Sequence, residues 1–173
     1  GEREDLMPLL MPVLADALIK LDEPEPPKTP EAVATAWTNA WWAYASQMTF
    51  WNPATLLLVE QAAKPAFMAA LLPGCVPNPI PGVFYLALEL ANIAGWMVGS
   101  AIPLSLLPIY APAPLIPPPV PGALVLMLVA TVPIGLASPT KEPVRIAIAT
   151  AIDLWSHLFM ATPIAGPPPI PIV

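Results

Sequence analysis

Apolar residues recur at helical spacing in five stretches of this chain, with proline-rich segments between them. Over residues 6–21 the period runs through Leu6, Leu10, Val13, Leu14, Ala17, Leu18 and Leu21. Pro8 suits a first turn there. Pro12 lacks an amide proton and predicts a kinked or shortened helix. A clearer helix opens at Thr29, Pro30 and Glu31: the threonine caps, the proline fits the first turn, and the carboxylate faces the positive end of the dipole. Its stripe is Val33, Ala36, Trp37, Ala40, Trp41 and Tyr44, while Thr35, Thr38, Asn39 and Trp42 fall on the other face. A third helix over 54–72 turns Val59, Ala63, Ala66, Phe67 and Ala70 inward, with a kink or break expected at Pro65. Residues 83–97 make a fourth, in which Glu89 and Asn92 are the strongly polar side chains. The last begins near Ser138 or Thr140, with Glu142 and Pro143 in its first turn. It buries Val144, Ala147, Ile148, Ala151, Trp155 and Leu158, turns Arg145, Thr150 and Asp153 away, and ends at Pro163.

Between these stretches proline sets the conformation. Residues 22–30 read as an acidic, extended linker, and Pro73-Gly74 opens a stiff connection. Pro103, Pro108, Pro112, Pro114, Pro117, Pro118, Pro119 and Pro121 exclude a helix or a central strand and predict an extended arm over about 103–121. Residues 123–132 form an unbroken apolar run whose periodicity allows strand or helix, and whose β-branched content tilts it towards strand. The tail, 163–173, is extended and apolar, so it is expected to dock. The fold class is mainly α with proline-rich extended arms, leaving room for a short β element. The organisation is an N-terminal helical segment (1–21), the linker (22–30) and a helical domain (31–173).

Composition moves this picture towards an assembly. Apolar residues make up 57% and charged residues 10%, where a soluble domain carries about half and about 25%. Prolines number 28 of 173, yet proline-rich chains are ordinarily polar and disordered. Eight of the twelve acids lie within the first 31 residues, and none of residues 90–140 is charged. A neutral stretch of that length is difficult to place on a monomer in water. The six basic residues are scattered, which excludes a phosphate-binding patch and with it nucleic acid. The acidic opening Gly1-Glu-Arg-Glu-Asp is unlike a basic secretory signal. The expected partners are therefore other structural subunits, including copies of the chain itself.

A membrane is the alternative. Residues 83–109 carry only Glu89 as a charge, and 122–140 carry none. Against it, Pro103, Pro108, Pro133 and Pro139 interrupt both stretches, and the arm leaves carbonyls without amide partners, which lipid cannot satisfy.

Catalytic chemistry is not visible, and no cofactor or metal site is expected. His157 is the one histidine; Ser156 beside it points about 100° away on a helix, and Asp153 is placed for an i,i+4 pair. Cys75 is alone and reads as a small apolar residue. The Trp/Tyr stripe could stack a sugar or a base, but a packed helix face accounts for it more simply. The residues expected at subunit interfaces are Trp42, which needs its own cover, with Leu106, Leu107, Ile109, Leu115 and Ile116 of the arm and Ile170, Ile172 and Val173 of the tail.

The order of segments carries a resemblance. An Ala/Trp helix (Ala34-Thr-Ala-Trp-Thr-Asn-Ala-Trp-Trp-Ala-Tyr-Ala-Ser) precedes a second alanine-rich helix (Gln61-Ala-Ala-Lys-Pro-Ala-Phe-Met-Ala-Ala-Leu). A long apolar Pro/Gly segment follows, then Ala147-Ile-Ala-Thr-Ala-Ile-Asp-Leu-Trp-Ser and the ending Pro-Pro-Pro-Ile-Pro-Ile-Val. This resembles small structural virion proteins of large tailed bacteriophages, over roughly residues 31–173. The resemblance implies a non-enzymatic component of the tail, baseplate or neck, located in the virion, and it transfers no site residues.

Overall fold

The computed structural model describes residues 9–76, 80–110, 115–132, 142–164 and 168–172. Among these are six α-helices and two short strands: α1 (Met11–Ile19), α2 (Pro30–Ala45), α3 (Leu56–Leu71), α4 (Pro81–Ser100), α5 (Ala123–Thr131), α6 (Glu142–Ser156), β1 (Met160–Ala161) and β2 (Ile170–Pro171). The chain is mainly helical, with one small antiparallel strand pair, Met160 opposite Pro171 and Ala161 opposite Ile170.

Local signals start the helices where expected. Thr29 Oγ1 accepts from the Ala32 amide at 3.1 Å, closing the cap of α2. Pro12 falls in the first turn of α1, so it shortens that helix instead of kinking it. Pro65 does not break α3. Its ring lies on the exposed side, and the residue whose carbonyl loses a partner, Gln61, is exposed too. The last helix ends at Ser156, a full turn or more before Pro163, because the following residues turn to feed β1. Leu6, Pro8, Ser138, Thr140 and Val173 lie outside the described residues.

α3 and α4 pack as an antiparallel hairpin. Gly99 near the end of α4 approaches Val59 and Ala63 near the start of α3, and Gly74 just beyond α3 meets Ala87 and Phe84 of α4. α1 packs on α2 and α6, α2 on α3, and α5 on both α4 and α6. The centre is aromatic. Trp41 stacks on Phe67 at 4.7 Å between ring centroids and meets Trp96 edge-on at 5.4 Å. Trp96 contacts Trp51 at 5.3 Å, and Trp155 meets Phe159 edge-on at 5.0 Å. Trp155, Ile148 and Ala151 are buried as the α6 period predicts, whereas Leu158 lies beyond the helix and is exposed.

The structure corrects the strand expected over 123–132, which is the helix α5. A nine-residue helix is marginal alone, because four amides of its first turn lack partners. The Ala123 amide turns to Val120 O at 3.3 Å, and Glu89, from α4, supplies the other three partners. Its Oε2 accepts from the Gly122 amide at 2.9 Å, and its Oε1 accepts from Leu124 at 2.7 Å and Val125 at 3.1 Å. Gly122 itself takes φ +82°, a left-handed conformation that a side chain would strain.

The arm is also corrected, because it wraps its own molecule. Residues between the prolines exchange backbone hydrogen bonds with nearby loops, as donors and as acceptors. Asn52 donates to Ser105 O at 2.7 Å, Leu107 to Phe50 O at 2.8 Å, and Ile164 to Ile109 O at 2.9 Å. Ile116 and Met160 exchange both bonds, at 2.8 and 3.0 Å. The tail follows the same rule: the Ile172 amide donates to Phe159 O at 2.9 Å, beside the β1–β2 pair.

Candidate functional site

Three helices turn apolar faces outward. On α4, Val83, Leu86 and Leu90 are exposed at helical spacing, continued by half-buried Ala94 and Met97 and by exposed Val98. On α5, Leu126 and Val129 are exposed; on α3, Leu57 and Leu58. Charge is nearly missing from this region. The one carboxylate of α4, Glu89, is only 4% exposed and is consumed by the α5 amides; α5 carries none; and on α3 Glu60 and Lys64 neutralise each other at 3.8 Å. Burying an apolar face of this kind stabilises by about 25 cal/mol per Å2, with no buried charge to oppose it.

The arm adds a second apolar patch. Leu104 has φ +63°, rare for a bulky side chain, and stands 74% exposed. Hydrogen bonds around it hold that conformation: Thr55 Oγ1 donates to Leu104 O at 2.9 Å, Ser105 N to Ile102 O at 3.0 Å, and Ser105 Oγ to Ser100 O at 2.7 Å. Beneath it an apolar cavity of about 290 Å3 opens between Leu106, Tyr110 and Ile164.

Comparison with protein-family models, with curated proteins and with solved structures finds no match. The site is therefore read from geometry alone.

The residues expected at interfaces divide by that geometry. Ile109 and Ile116 are exposed, Ile170 is exposed at the edge of β2, and Leu107 is half-buried. Leu106, Leu115 and Ile172 are corrected: each is buried inside its own chain, because the hydrogen bonds that stitch down the arm and tail draw them inward. Trp42 is half-buried and finds cover at home, stacked on Trp51 at 5.4 Å. Val173 lies outside the described residues.

Two polar side chains of α6 expected to face away are instead fixed inside. The Arg145 guanidinium lies 5.1 Å over the Trp37 ring and 3.7 Å from Asp22, and burial lowers its affinity for the proton. Asp153 Oδ1 accepts from the Tyr44 hydroxyl at 2.8 Å and lies 3.3 Å from His157 Nε2. Burial first, and then the Asp153 charge, push the Tyr44 phenol far above its ordinary range, so it remains a donor. The hydrogen bond to Asp153 raises the His157 value, against a smaller opposing effect of burial. Tyr44 is wholly buried, whereas the His157 and Asp153 side chains keep 25% and 18% of their surface exposed. Among the described residues no three His, Cys, Asp or Glu side chains gather as metal ligands, and Cys75 is buried with its thiol on Leu71 O.

Proposed function

We propose that this chain is a non-enzymatic structural subunit of a multi-protein assembly, a virion component in the setting that the phage resemblance implies. The observation that carries the reading is the set of outward faces of α3, α4 and α5, apolar and almost free of charge. Monomers in water rarely expose apolar patches beyond a few hundred Å2, and larger ones mark contact with a partner. With the arm and tail hydrogen-bonded to their own chain, these helical faces, together with Leu104, Ile109 and Ile116, are the surface offered to neighbours. Light scattering of the purified chain without detergent tests the reading. The expected result is oligomers or insoluble protein; a stable, monodisperse monomer overturns it.

A second reading, a membrane-associated subunit, is favoured by the helical hairpin. Pro53–Gly74 (22 residues) and Pro81–Ser100 (20 residues) are each long and apolar enough to cross a bilayer, with mean hydropathy 1.3 over their best windows. Glycine and alanine at their contact also suit packing in lipid. Flotation with phospholipid vesicles separates the two. A protein-assembly subunit stays in the dense fractions, whereas a membrane subunit rises with the lipid.

A further inference from the structure

We propose that His157 is a pH-operated latch on the C-terminal tail, closed when its imidazole is protonated. The proposal rests on the tail's own geometry and is independent of the assembly reading. The two ring nitrogens face two oxygens that only accept. Nδ1 lies 3.0 Å from the Ile172 carbonyl, and Nε2 lies 3.3 Å from Asp153 Oδ1. A neutral imidazole carries one N–H, so it serves one of these oxygens and turns a lone pair towards the other. The imidazolium serves both. Deprotonation therefore loosens either the bond to the tail or the bond that orients the ring on α6.

The tail has few other bonds to hold it. In residues 168–172, Pro168, Pro169 and Pro171 have no N–H, which leaves Ile170 and Ile172 as the amide donors. The Ile172 amide reaches Phe159 O at 2.9 Å, and its carbonyl is the one on His157. The Ile172 side chain is fully buried, so the latch holds an apolar anchor in place.

Among the described residues, the surroundings isolate the switch to one group. Tyr44, from α2, bonds to Asp153 and stays protonated across the imidazole range. Asp153 is the charged partner on α6. On α1, which packs against α6, Asp16 and Lys20 pair with each other at 3.0 Å. Arg145 sits at the opposite end of α6 beside Asp22, and α5 brings no charged side chain. Because Asp153 raises the folded-state value of His157, the latch contributes fully below the ordinary imidazole value. It is lost as pH rises through the raised one.

Hydrogen exchange of the full chain tests this, read as the protection factor of the Ile172 amide between about pH 5.5 and about pH 8.5, either side of the imidazole range. His157 is the single histidine, so its ring C–H resonance reports its own titration directly. The expected result is a several-fold fall in Ile172 protection with rising pH, its midpoint coinciding with the titration of His157. In His157→Gln the protection is flat with pH, and in Asp153→Asn the midpoint moves to lower pH. Protection that does not change with pH in the unaltered chain overturns the proposal. So does a midpoint that differs from the His157 titration, or a pH dependence that persists in His157→Gln.

Discussion

At Gly95 the backbone of α4 lies hard against the core. A Cβ built there meets Trp41 Cη2 at 2.5 Å and Cζ2 at 2.8 Å, inside any real contact. The Trp41 ring has nowhere to retreat, since Phe67 stacks on it and Trp96 abuts it edge-on. Alanine is the better helix former by about 1 kcal/mol, but overpacking a full core costs about 1–3 kcal/mol. Gly95→Ala is therefore expected to lower stability in urea unfolding; an unchanged or raised midpoint would show that the ring yields. Legibility at this scale followed distance along the chain. Thr29, Trp37, Trp41 and Tyr44 were readable because cap and stripe are local patterns. Arg145 and Asp153 were misassigned to the outer face, because hydrogen bonds to Leu18 and Tyr44, 127 and 109 positions away, hold them in. The i,i+4 relation of Asp153 with His157 was legible, but its link to Ile172 was not.

At the scale of elements, α5 is the instructive case. Its periodicity allows a strand or a helix, its β-branched residues lean towards strand, and nothing within residues 123–132 selects the helix. The decision comes from Glu89, which reaches across from α4 to three amides at its start. A lone acid in a long apolar stretch was the available signal, and a carboxylate so placed has to find donors or remain unpaired. Replacing it tests the account. In Glu89→Gln the amide carbonyl keeps an acceptor for Leu124 and Val125, but its NH2 group faces the Gly122 N–H, donor against donor. The expected cost is about 1–3 kcal/mol, the value of a charge-assisted bond plus an unsatisfied donor. Chemical denaturation measures it, and full retention of stability would remove Glu89 from that role. The arm and tail were legible as extended and docked. Their docking onto their own chain was not, because the backbone donors and acceptors they pair with lie in residues 50–52 and 159–164, which carry no periodic signal.

For the whole molecule, stitching the arm and tail inward leaves helices α3, α4 and α5 to meet whatever surrounds the chain. The joint they would form has almost no ions in it, and its temperament follows from that. Exposed charge pairs are screened by salt, so an association built on them weakens as ionic strength rises. One built on Leu57, Leu86, Leu90, Leu126 and Val129 has little to screen. Its driving force is the release of water from hydrocarbon, which is almost wholly entropic near 25 °C and fades on cooling. Analytical ultracentrifugation should find the oligomers indifferent to sodium chloride, tightened by sulfate and loosened near the freezing point. Dissociation by moderate sodium chloride would assign the contact to charged residues instead. A particle built from such a subunit would be assembled warm and taken apart on ice.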